Sequence, residues 1–332
     1  MSKKNYLWLC IGYGVLFLSL FLVVTLQGGA LDLRISQILV QLPEKTRYSS
    51  SIFGRIFESI GEFPIYVIIQ LLCLFWVKLL YGKKNHIWAK IAIGICLFFA
   101  LFMGVYGFHK MEQYVARYFE GAHEMWLSLL HPTSLLLNVG LSLCMMGVCS
   151  FFVIKIKSEH IQQWLFLSIV IALAMALSQF FVHLAIKPLW ARERYRAMMT
   201  LDGSVDAFTP WYQLSSISWK EIPSAIKDDF RSFPSGHTAS AAMLEGLLFL
   251  PYYFPKIKKS KKVLCCVLPF LYTGIVAFSR IYVGAHFTSD VLFGGSISFA
   301  CMMLSFFLFE KCFKGRLLSM NEKQKRMNFD NE

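Results

Sequence analysis

Charged residues are scarce in this chain of 332 residues: only 16% are Asp, Glu, Lys or Arg, whereas 56% are hydrophobic. An average soluble domain carries about 25% charged residues, so this composition excludes an ordinary soluble protein. Acidic residues are fewer than basic ones, 20 against 33, which gives a formal net charge of +13. Low-complexity segments and clear internal repeats are also missing, so one membrane domain accounts for the chain.

Ligand-like patterns of cysteine and histidine are missing as well. The nine cysteines lie almost all inside apolar runs and show no ligand spacing with histidine, which predicts small packing residues rather than disulfides or a zinc site. His109, His123 and His131 have no close carboxylate partners at ligand spacing either. We therefore expect no metal and no cofactor.

Apolar runs long enough to cross a bilayer, which takes about 20 residues of helix, are abundant. The fold class predicted is an all-α polytopic transmembrane helical bundle. Its spans, about eight in number, are expected at residues 6–26, 64–80, 90–108, 129–154, 164–186, 240–254, 263–278 and 291–309. The first run is longer than the apolar core of a signal peptide, which favours a retained anchor over a cleaved signal.

Basic residues in the short connections indicate the orientation of the chain. They all fall on one side of the eight-span arrangement, at Lys3, Lys4, Lys83, Lys84, Lys90, Lys155, Lys157, 256–262 and the tail 311–332. The positive-inside rule makes that side cytoplasmic, so both termini are expected inside the plasma membrane and the loops with 233–237 and 279–290 outside. The charge then reports topology and contact with lipid headgroups, and no nucleic-acid partner is expected.

The three longer outer connections differ in character. Amphipathic stretches within 27–63 and 109–128 are expected to lie along the membrane interface. The third, 187–231, contains the basic cluster KPLWARERYR, in which we expect Arg192 and Arg196 to be solvated. His183, one turn earlier, is expected to pack at the interface, with a position facing the pocket as the alternative. Glu245 is equally compatible with pairing to a basic group and with a structural hydrogen bond.

Three segments carry groups that a membrane protein tolerates poorly unless they are used: the first is 187–194, the second is FPSGH at 233–237, and the third is SRIYVGAHFTSD at 279–290. The cations of Lys187, Arg194 and Arg280 can surround a tetrahedral dianion. The Ser235 hydroxyl and the Gly236 backbone can complete the cradle at a helix start. Such a cradle also stabilises the charge that spreads over the oxygens in phosphoryl transfer.

Two histidines can supply the remaining chemistry. His286 and Asp290 are four residues apart, within reach if a helix begins near 285. A carboxylate bonded to one ring nitrogen leaves the other nitrogen as a nucleophile, which favours His286 over His237 for that role. His237 can then protonate the leaving oxygen and later activate water. This route forms a phosphohistidine and needs no metal.

The order and spacing of these segments resemble the signature of the type 2 phosphatidic acid phosphatase superfamily, which includes vanadium haloperoxidases and glucose-6-phosphatase. That signature is Lys, six residues and Arg-Pro; then Pro-Ser-Gly-His; then Ser-Arg, five residues, His, three residues and Asp. The resemblance implies His286 as nucleophile, Asp290 as its partner and His237 as general acid. It also implies a set of phosphate ligands, namely Lys187, Arg194, Ser235, Gly236 and Arg280.

Two departures from the family pattern are visible. Tyr195 stands where the family has proline, which affects the local loop geometry rather than the chemistry. The membrane members have a six-helix core, so this chain carries an extra helix pair before Lys187. We divide the chain into N-terminal transmembrane helices with interfacial loops (1–186), a catalytic region (187–310) and a basic cytoplasmic tail (311–332).

The function predicted is that of a membrane-bound, metal-independent phosphatase acting on a lipid phosphomonoester or lipid pyrophosphate. Phosphatidic acid, phosphatidylglycerol phosphate and polyprenyl pyrophosphates such as undecaprenyl pyrophosphate all fit, and membrane lipids are the other expected partners. A soluble substrate such as a sugar phosphate is the nearest alternative. A non-catalytic protein that binds or transports lipid phosphates is another, and a membrane setting disfavours haloperoxidase chemistry. The oligomeric state is left open.

Overall fold

Helices make up the regular secondary structure of the part of the chain that the computed structural model describes, residues 3–25, 29–40, 51–116, 131–201, 204–224 and 226–329. The helices are α1 (Lys3–Thr25), α2 (Ala30–Leu39), α3 (Ile52–Ile60), α4 (Phe63–Tyr81), α5 (Ile87–Ala116), α6 (Pro132–Ile154), α7 (Ile161–Gln179), α8 (Tyr195–Leu201), α9 (Gly236–Ala242), α10 (Lys259–Tyr282) and α11 (Thr288–Phe329). A π-helical segment (Phe180–Ile186) and a turn (Lys187–Trp190) extend α7, and a 3-10 segment (Met243–Phe249) and a turn (Leu250–Tyr253) extend α9.

The eight predicted apolar runs coincide with helices, which confirms an all-α membrane bundle. Within the described ranges, six stretches are long and apolar enough to span a membrane: Ile52–Tyr81, Ile87–Ala116, Pro132–Ile154, Ser158–Thr200, Lys259–Tyr282 and Thr288–Cys312. Part of α1, together with α2 at a bend of 89°, is a candidate seventh. By length and composition, the described residues thus contain six or seven candidate spans, and α9 with its extension is not among them.

The helix α9 lies at the centre of the protein, where α4, α10 and α11 surround it. Its small residues Ala239 and Ala242 are fully buried, which lets the neighbouring backbones approach closely. Gly294 of α11 shows how close this approach is, because a Cβ atom there would lie 2.3 Å from the carbonyl oxygen of Ser235. Ser298 adds a hydrogen bond from its hydroxyl to the carbonyl of Ala239, 2.9 Å long. The start of α9 is thus held tightly against α11.

Polar side chains connect the helices α4, α5 and α6. The Gln70 amide nitrogen donates to the carbonyl of Ala100 at 3.0 Å and contacts the Ser142 hydroxyl at 3.1 Å. At the other end of α4, the Lys78 ammonium donates to the carbonyl of Val153 at 3.0 Å. Polar groups at membrane depth have to find partners inside the protein, so these bonds fix the packing of the three helices.

The short helices α2 and α3 turn their polar faces inward. Asp32 on α2 and Glu58 on α3 are buried, whereas Ile38 and Ile52 are 68% and 73% exposed. The prediction for this stretch is therefore only partly correct. The stretch is amphipathic, but its acidic side chains are buried inside the protein. An amphipathic pattern defines two faces without saying which one meets the interior. Of the second predicted interfacial stretch, 109–128, only the part up to Ala116 at the end of α5 is described. His123 lies outside the described residues.

Candidate active site

A cavity of about 740 Å³ brings the three motif segments together. Six of the eight predicted site residues line it: Lys187, Arg194, Gly236, His237, Arg280 and His286. The other two, Ser235 and Asp290, are fully buried and do not line the wall. The structure thus brings six of the predicted residues together around one cavity, and the other two lie buried behind its lining.

The ring of His286 is held in one orientation by a backbone carbonyl. Its Nδ1 atom lies 2.6 Å from the carbonyl oxygen of Ser232 and 3.7 Å from the Asp290 carboxylate. A carbonyl can only accept, so Nδ1 carries the hydrogen and Nε2 keeps its lone pair. Nε2 makes no hydrogen bond to the residues that the structure describes. Burial lowers the pKa of His286 to about 3, which favours the neutral ring.

His286 and Asp290 are neighbours as predicted, but the shorter contact of Nδ1 is with the Ser232 carbonyl and not with the Asp290 carboxylate. The Asp290 carboxylate is occupied by other donors, the Ser232 hydroxyl at 2.5 Å and the Phe287 backbone N–H at 2.8 Å. Ser232 contacts both members of the expected pair, since its carbonyl accepts from His286 and its hydroxyl donates to Asp290. Ser232 directly precedes FPSGH and was not among the predicted site residues.

Arg192 is the third partner of Asp290. The prediction that its side chain is solvated is wrong, because it is buried. Its side chain is 1% exposed, and Nη1 lies 2.5 Å from Asp290 Oδ1 while Nη2 lies 3.0 Å from Asp32 Oδ2. Ser289 completes this cluster, because its hydroxyl and backbone N–H both donate to Asp32. Arg196 is also buried rather than solvated. A guanidinium with carboxylate partners can be buried in this way, whereas an unpaired one cannot.

Carboxylates also accompany the two arginines expected to bind phosphate. Arg280 Nη2 lies 2.9 Å from Glu58 Oε1, and both side chains are 1% exposed. Arg194 makes a two-pronged contact with Asp228, at 2.8 and 3.3 Å. Asp228 is half exposed, in contrast to Glu58. The cavity is thus a mixed cluster of cations and anions rather than a purely basic cradle.

His237 has an oxygen atom opposite each of its ring nitrogens. Nδ1 lies 3.1 Å from Glu62 Oε1, and Nε2 lies 3.1 Å from the backbone carbonyl of Glu58. The Tyr114 hydroxyl donates to the other oxygen of Glu62 at 3.3 Å. Burial lowers the pKa of His237 to about 3, and the Glu62 carboxylate acts in the opposite direction. Glu62 is therefore placed to orient this ring and to favour its protonated form.

The remaining predicted ligands have structural partners of their own. The Ser235 hydroxyl caps α9 by accepting from the backbone N–H of Thr238 at 3.4 Å, and it also accepts from the Thr238 hydroxyl at 3.0 Å. Gly236 has no space for a side chain, because a Cβ atom would lie 2.7 Å from His183 Cε1. His183 consequently lines the cavity, which corrects the prediction of interfacial packing. The Lys187 ammonium donates to the carbonyl of Arg231 at 2.9 Å.

Other polar residues contribute less to this picture. Neither carboxylate oxygen of Glu245 has a hydrogen-bond partner in the described part of the chain, so neither role considered for it is observed there. Within the same ranges, no group of three or more His, Cys, Asp or Glu residues is placed to hold a metal ion.

Four acidic residues around the site were not predicted from the sequence. Asp228 precedes the FPSGH segment, whereas Asp32, Glu58 and Glu62 come from the N-terminal region and not from the motif segments. A signal for the last three was present, because each is an isolated carboxylate in an apolar or amphipathic stretch of a chain that is poor in acidic residues. Ionisable residues in such positions are functional candidates by default. What the sequence could not give was the partner of each one.

Comparison with known proteins agrees with this geometry. Residues 164–314 match the family model of the PAP2 superfamily. Phosphatidylglycerophosphatase B of Bacillus subtilis (strain 168) is 38% identical over 79 residues, which are 23% of this chain and 36% of that protein. The match therefore spans only about a third of the relative's length. No solved structure matches the chain. The matched segment 164–314 contains all three motif segments.

Proposed function

We propose that this protein is a membrane-bound phosphatase that removes a phosphate group from a lipid without a metal ion. One observation carries the proposal. The Nε2 atom of His286 is unbonded within the described structure, while Nδ1–H is fixed by Ser232, beside a cavity lined by Lys187, Arg194 and Arg280, among other residues. A neutral imidazole with a fixed tautomer next to bound phosphate is the arrangement that nucleophilic attack on phosphorus requires.

In the first step, His286 Nε2 forms a bond to phosphorus while the bond from phosphorus to the lipid oxygen breaks. The product is a phosphohistidine, whose ring becomes positively charged. The Ser232 carbonyl and the nearby Asp290 carboxylate stabilise this charge, and Arg192 holds Asp290 in place. Water then attacks phosphorus, the bond to Nε2 breaks, and inorganic phosphate leaves.

His237 handles the proton in both steps. It donates a proton to the lipid oxygen as that oxygen leaves, and it takes a proton from the attacking water afterwards. The ring has to be protonated for the first step, although burial lowers its pKa. Glu62, together with the negative charge of an arriving phosphate, favours the protonated ring, so substrate binding itself prepares the acid. We therefore assign Glu62 as a positioning residue for His237.

The cations Lys187, Arg194 and Arg280 bind the phosphate oxygens in this proposal, together with the Ser235 hydroxyl and the Gly236 backbone at the start of α9. Binding requires Arg194 to exchange or share its contact with Asp228, and Arg280 to do the same with Glu58. The half-exposed Asp228 can turn toward water, which makes its release the easier of the two. Loss of these contacts is offset by charge-assisted bonds to the phosphate.

A lipid substrate is supported by the position of the site and by the relative's name. The site lies at the end of membrane-length helices, where an amphiphile presents its headgroup. Phosphatidylglycerol phosphate is the first substrate to test because the relative is a phosphatidylglycerophosphatase. Phosphatidic acid and undecaprenyl pyrophosphate are the next, and a sugar phosphate represents the soluble alternative.

The orientation belongs to the same proposal. The lysines in the connections support a plasma-membrane protein with both termini in the cytoplasm and the site on the outer face. The catalytic region 187–310 then works with acidic residues that the N-terminal region 1–186 supplies, and the tail 311–332 is cytoplasmic. A single reporter cysteine at Ser215, in a background without the native cysteines, tests this arrangement. Labelling from the cytoplasmic side alone would overturn the orientation.

The deciding experiment for the reaction is phosphate release by purified protein from these four substrates, in the presence of a chelator. We expect release from at least one lipid phosphate, and a loss of about 100-fold or more in His286→Ala. Release from sugar phosphate alone would reject the lipid assignment. Absence of release from every substrate, with stable binding of a lipid phosphate, would instead indicate a binding or transport protein.

A further inference from the structure

Arg231 is a cation of the active-site cavity that the phosphatase signature does not include. Its side chain lines the cavity and is partly buried. The two arginines of the signature each pair with a carboxylate. Arg231, in contrast, makes no ion pair and no side-chain hydrogen bond with the residues that the structure describes, and its guanidinium lies over the Trp219 ring at 5.9 Å. The N–H donors of this guanidinium are therefore available to an anion in the cavity.

The backbone around Arg231 is part of the site described above. Its carbonyl accepts from the Lys187 ammonium at 2.9 Å. The carbonyl of the next residue, Ser232, accepts from His286, and the Ser232 backbone N–H donates to the carbonyl of Arg192 at 3.0 Å. Arg231 thus directly contacts one predicted phosphate ligand and lies one residue from the group that orients the proposed nucleophile.

The outer loop supports the side chain of Arg231. Trp219 packs with the buried side chains of Ile222 and Phe230 in a small hydrophobic cluster. A guanidinium over an aromatic ring is attracted by the ring electrons and can still donate hydrogen bonds from its edge. Lys227 lies over the same ring at 4.8 Å but does not line the cavity. Of the two cations that contact Trp219, only Arg231 therefore reaches the cavity wall.

His183 is a second cavity residue without a hydrogen-bond partner in the described part of the chain. It lies in the π-helical segment Phe180–Ile186, one turn before Lys187, and such segments are frequent at functional sites. The charges of Lys187 and Arg231 both act on its ring. Gly236 allows the ring to come close, since a Cβ atom there would lie 2.7 Å from His183 Cε1. Arg231 and His183 thus offer hydrogen-bond donors beside Lys187.

We propose that Arg231 and His183 bind a second phosphate of the substrate, next to the phosphate that His286 attacks. This inference rests on the proposed phosphatase function and names its substrate class, lipids whose headgroup carries two phosphates. The three cations of the signature are sufficient for one phosphate dianion, and Lys187 lies where it can contact both phosphates. A lipid diphosphate and phosphatidylglycerol phosphate each place a second anion close to the first. Phosphatidic acid has one phosphate and leaves Arg231 without a ligand.

The test compares headgroups on the same hydrocarbon chains. In Arg231→Gln, we expect the ratio of kcat/KM for dioleoyl phosphatidylglycerol phosphate to kcat/KM for dioleoyl phosphatidic acid to fall about tenfold or more, because a hydrogen bond between charged groups is lost only with the first lipid. Arg231→Lys should recover part of the ratio, since it keeps the charge without the planar fork. Lys227→Gln is the matched control, because it removes a charge from the same Trp219 ring outside the cavity.

Inorganic anions provide a probe without a lipid. Pyrophosphate should inhibit the hydrolysis of phosphatidic acid at lower concentration than phosphate does, and this difference should shrink in Arg231→Gln and in His183→Ala. Undecaprenyl pyrophosphate in the lipid assay distinguishes the two sources of the second phosphate. A loss confined to it supports a subsite for diphosphates, and a loss confined to phosphatidylglycerol phosphate supports a subsite for the phosphodiester.

An unchanged ratio in Arg231→Gln, or an equal loss on all three lipids at unchanged thermal stability, would overturn the proposal. If Arg231→Gln is destabilised, Arg231→Lys decides in its place, because a lost planar fork should still lower the ratio. Failure of the phosphatase function itself would give a different result, namely no phosphate release from any of these lipids by the unaltered protein.

Discussion

The buried cluster around Arg192 allows the sharpest prediction about stability. The guanidinium donates to four groups: Thr209 O at 2.8 Å, Ser289 Oγ at 2.8 Å, Asp290 Oδ1 at 2.5 Å and Asp32 Oδ2 at 3.0 Å. Replacing Arg192 by methionine keeps much of the volume but leaves two buried carboxylates without their shared cation. Breaking one buried pair costs about 3–5 kcal/mol, so we expect at least this loss.

That cost can be converted into a melting temperature. If the unfolding entropy scales as in soluble proteins, at about 2.1 cal/mol/K per residue, 332 residues give about 0.7 kcal/mol/K. The expected drop in Tm for Arg192→Met is then about 4–7 °C or more. Arg192→Lys should lose less, because it keeps the charge but lacks the planar fork. Thermal unfolding in detergent micelles, followed by near-ultraviolet circular dichroism, measures both.

A double-mutant cycle provides the control. Asp32→Asn removes one of the two carboxylates that Arg192 neutralises, so it should recover part of the stability lost in Arg192→Met, with a coupling of about 0.5–3 kcal/mol. Phosphatase activity should not return with stability, because Asp290 still lacks Arg192. A wild-type Tm in Arg192→Met, or strictly additive effects of the two substitutions, would refute the assignment of this cluster.

Three further predictions concern the chemistry of the site. Glu62→Gln should lower kcat by about tenfold or more, with a smaller change in KM, and should alter the pH–rate profile. Glu62→Asp should recover part of kcat. An unchanged pH–rate profile in Glu62→Gln would reject Glu62 as the partner of His237. Because burial holds the folded-state pKa values of His237 and His286 near 3, below the usual 6.5 of an unfolded histidine, their contribution to stability is complete above pH 6.5. It is lost as pH falls from 6.5 toward 3, and His286→Gln should flatten this part of the stability curve measured by thermal unfolding. Dialysis against a chelator should leave phosphate release unchanged, and a loss that added divalent metal restores would contradict a metal-free mechanism.

The sequence was sufficient for the helices and for the motif residues, for identifiable reasons. Apolar runs of membrane length have few alternatives to a helix, since backbone groups in lipid must bond within their own segment. The count was less secure because α9 is surrounded by protein, and a buried helix can carry His237 and Glu245 without lipid contact. The hydropathy of a segment reports how apolar it is and does not distinguish contact with lipid from burial inside the bundle.

Pairing of side chains was the part that the sequence could not provide. The spacing of His286 and Asp290 suggested a direct bond, but α11 begins only at Thr288, so His286 lies before the helix and its ring turns to Ser232. Asp32 meets Arg192 across 160 residues of sequence. Such long-range contacts depend on how the helices pack, and no local pattern in the sequence specifies them.

The inward charges of α2 and α3 illustrate the same limit. Their apolar residues were correctly expected to form one face, yet Glu58 reaches Arg280 across 222 residues of sequence and so belongs to the interior. The two possible orientations of such a helix bury opposite faces. Only the presence of a buried cation as a partner decides between them.

The most direct test of the proposed mechanism is capture of the phosphorylated enzyme. Purified protein is mixed with a lipid phosphate labelled with ³²P, quenched within milliseconds in alkali, and digested for mass spectrometry. We predict an acid-labile, alkali-stable label on His286, which forms more slowly in His237→Ala and is absent in His286→Ala. Phosphate release without any label on the enzyme, or a label that persists in His286→Ala, would contradict His286 as the nucleophile.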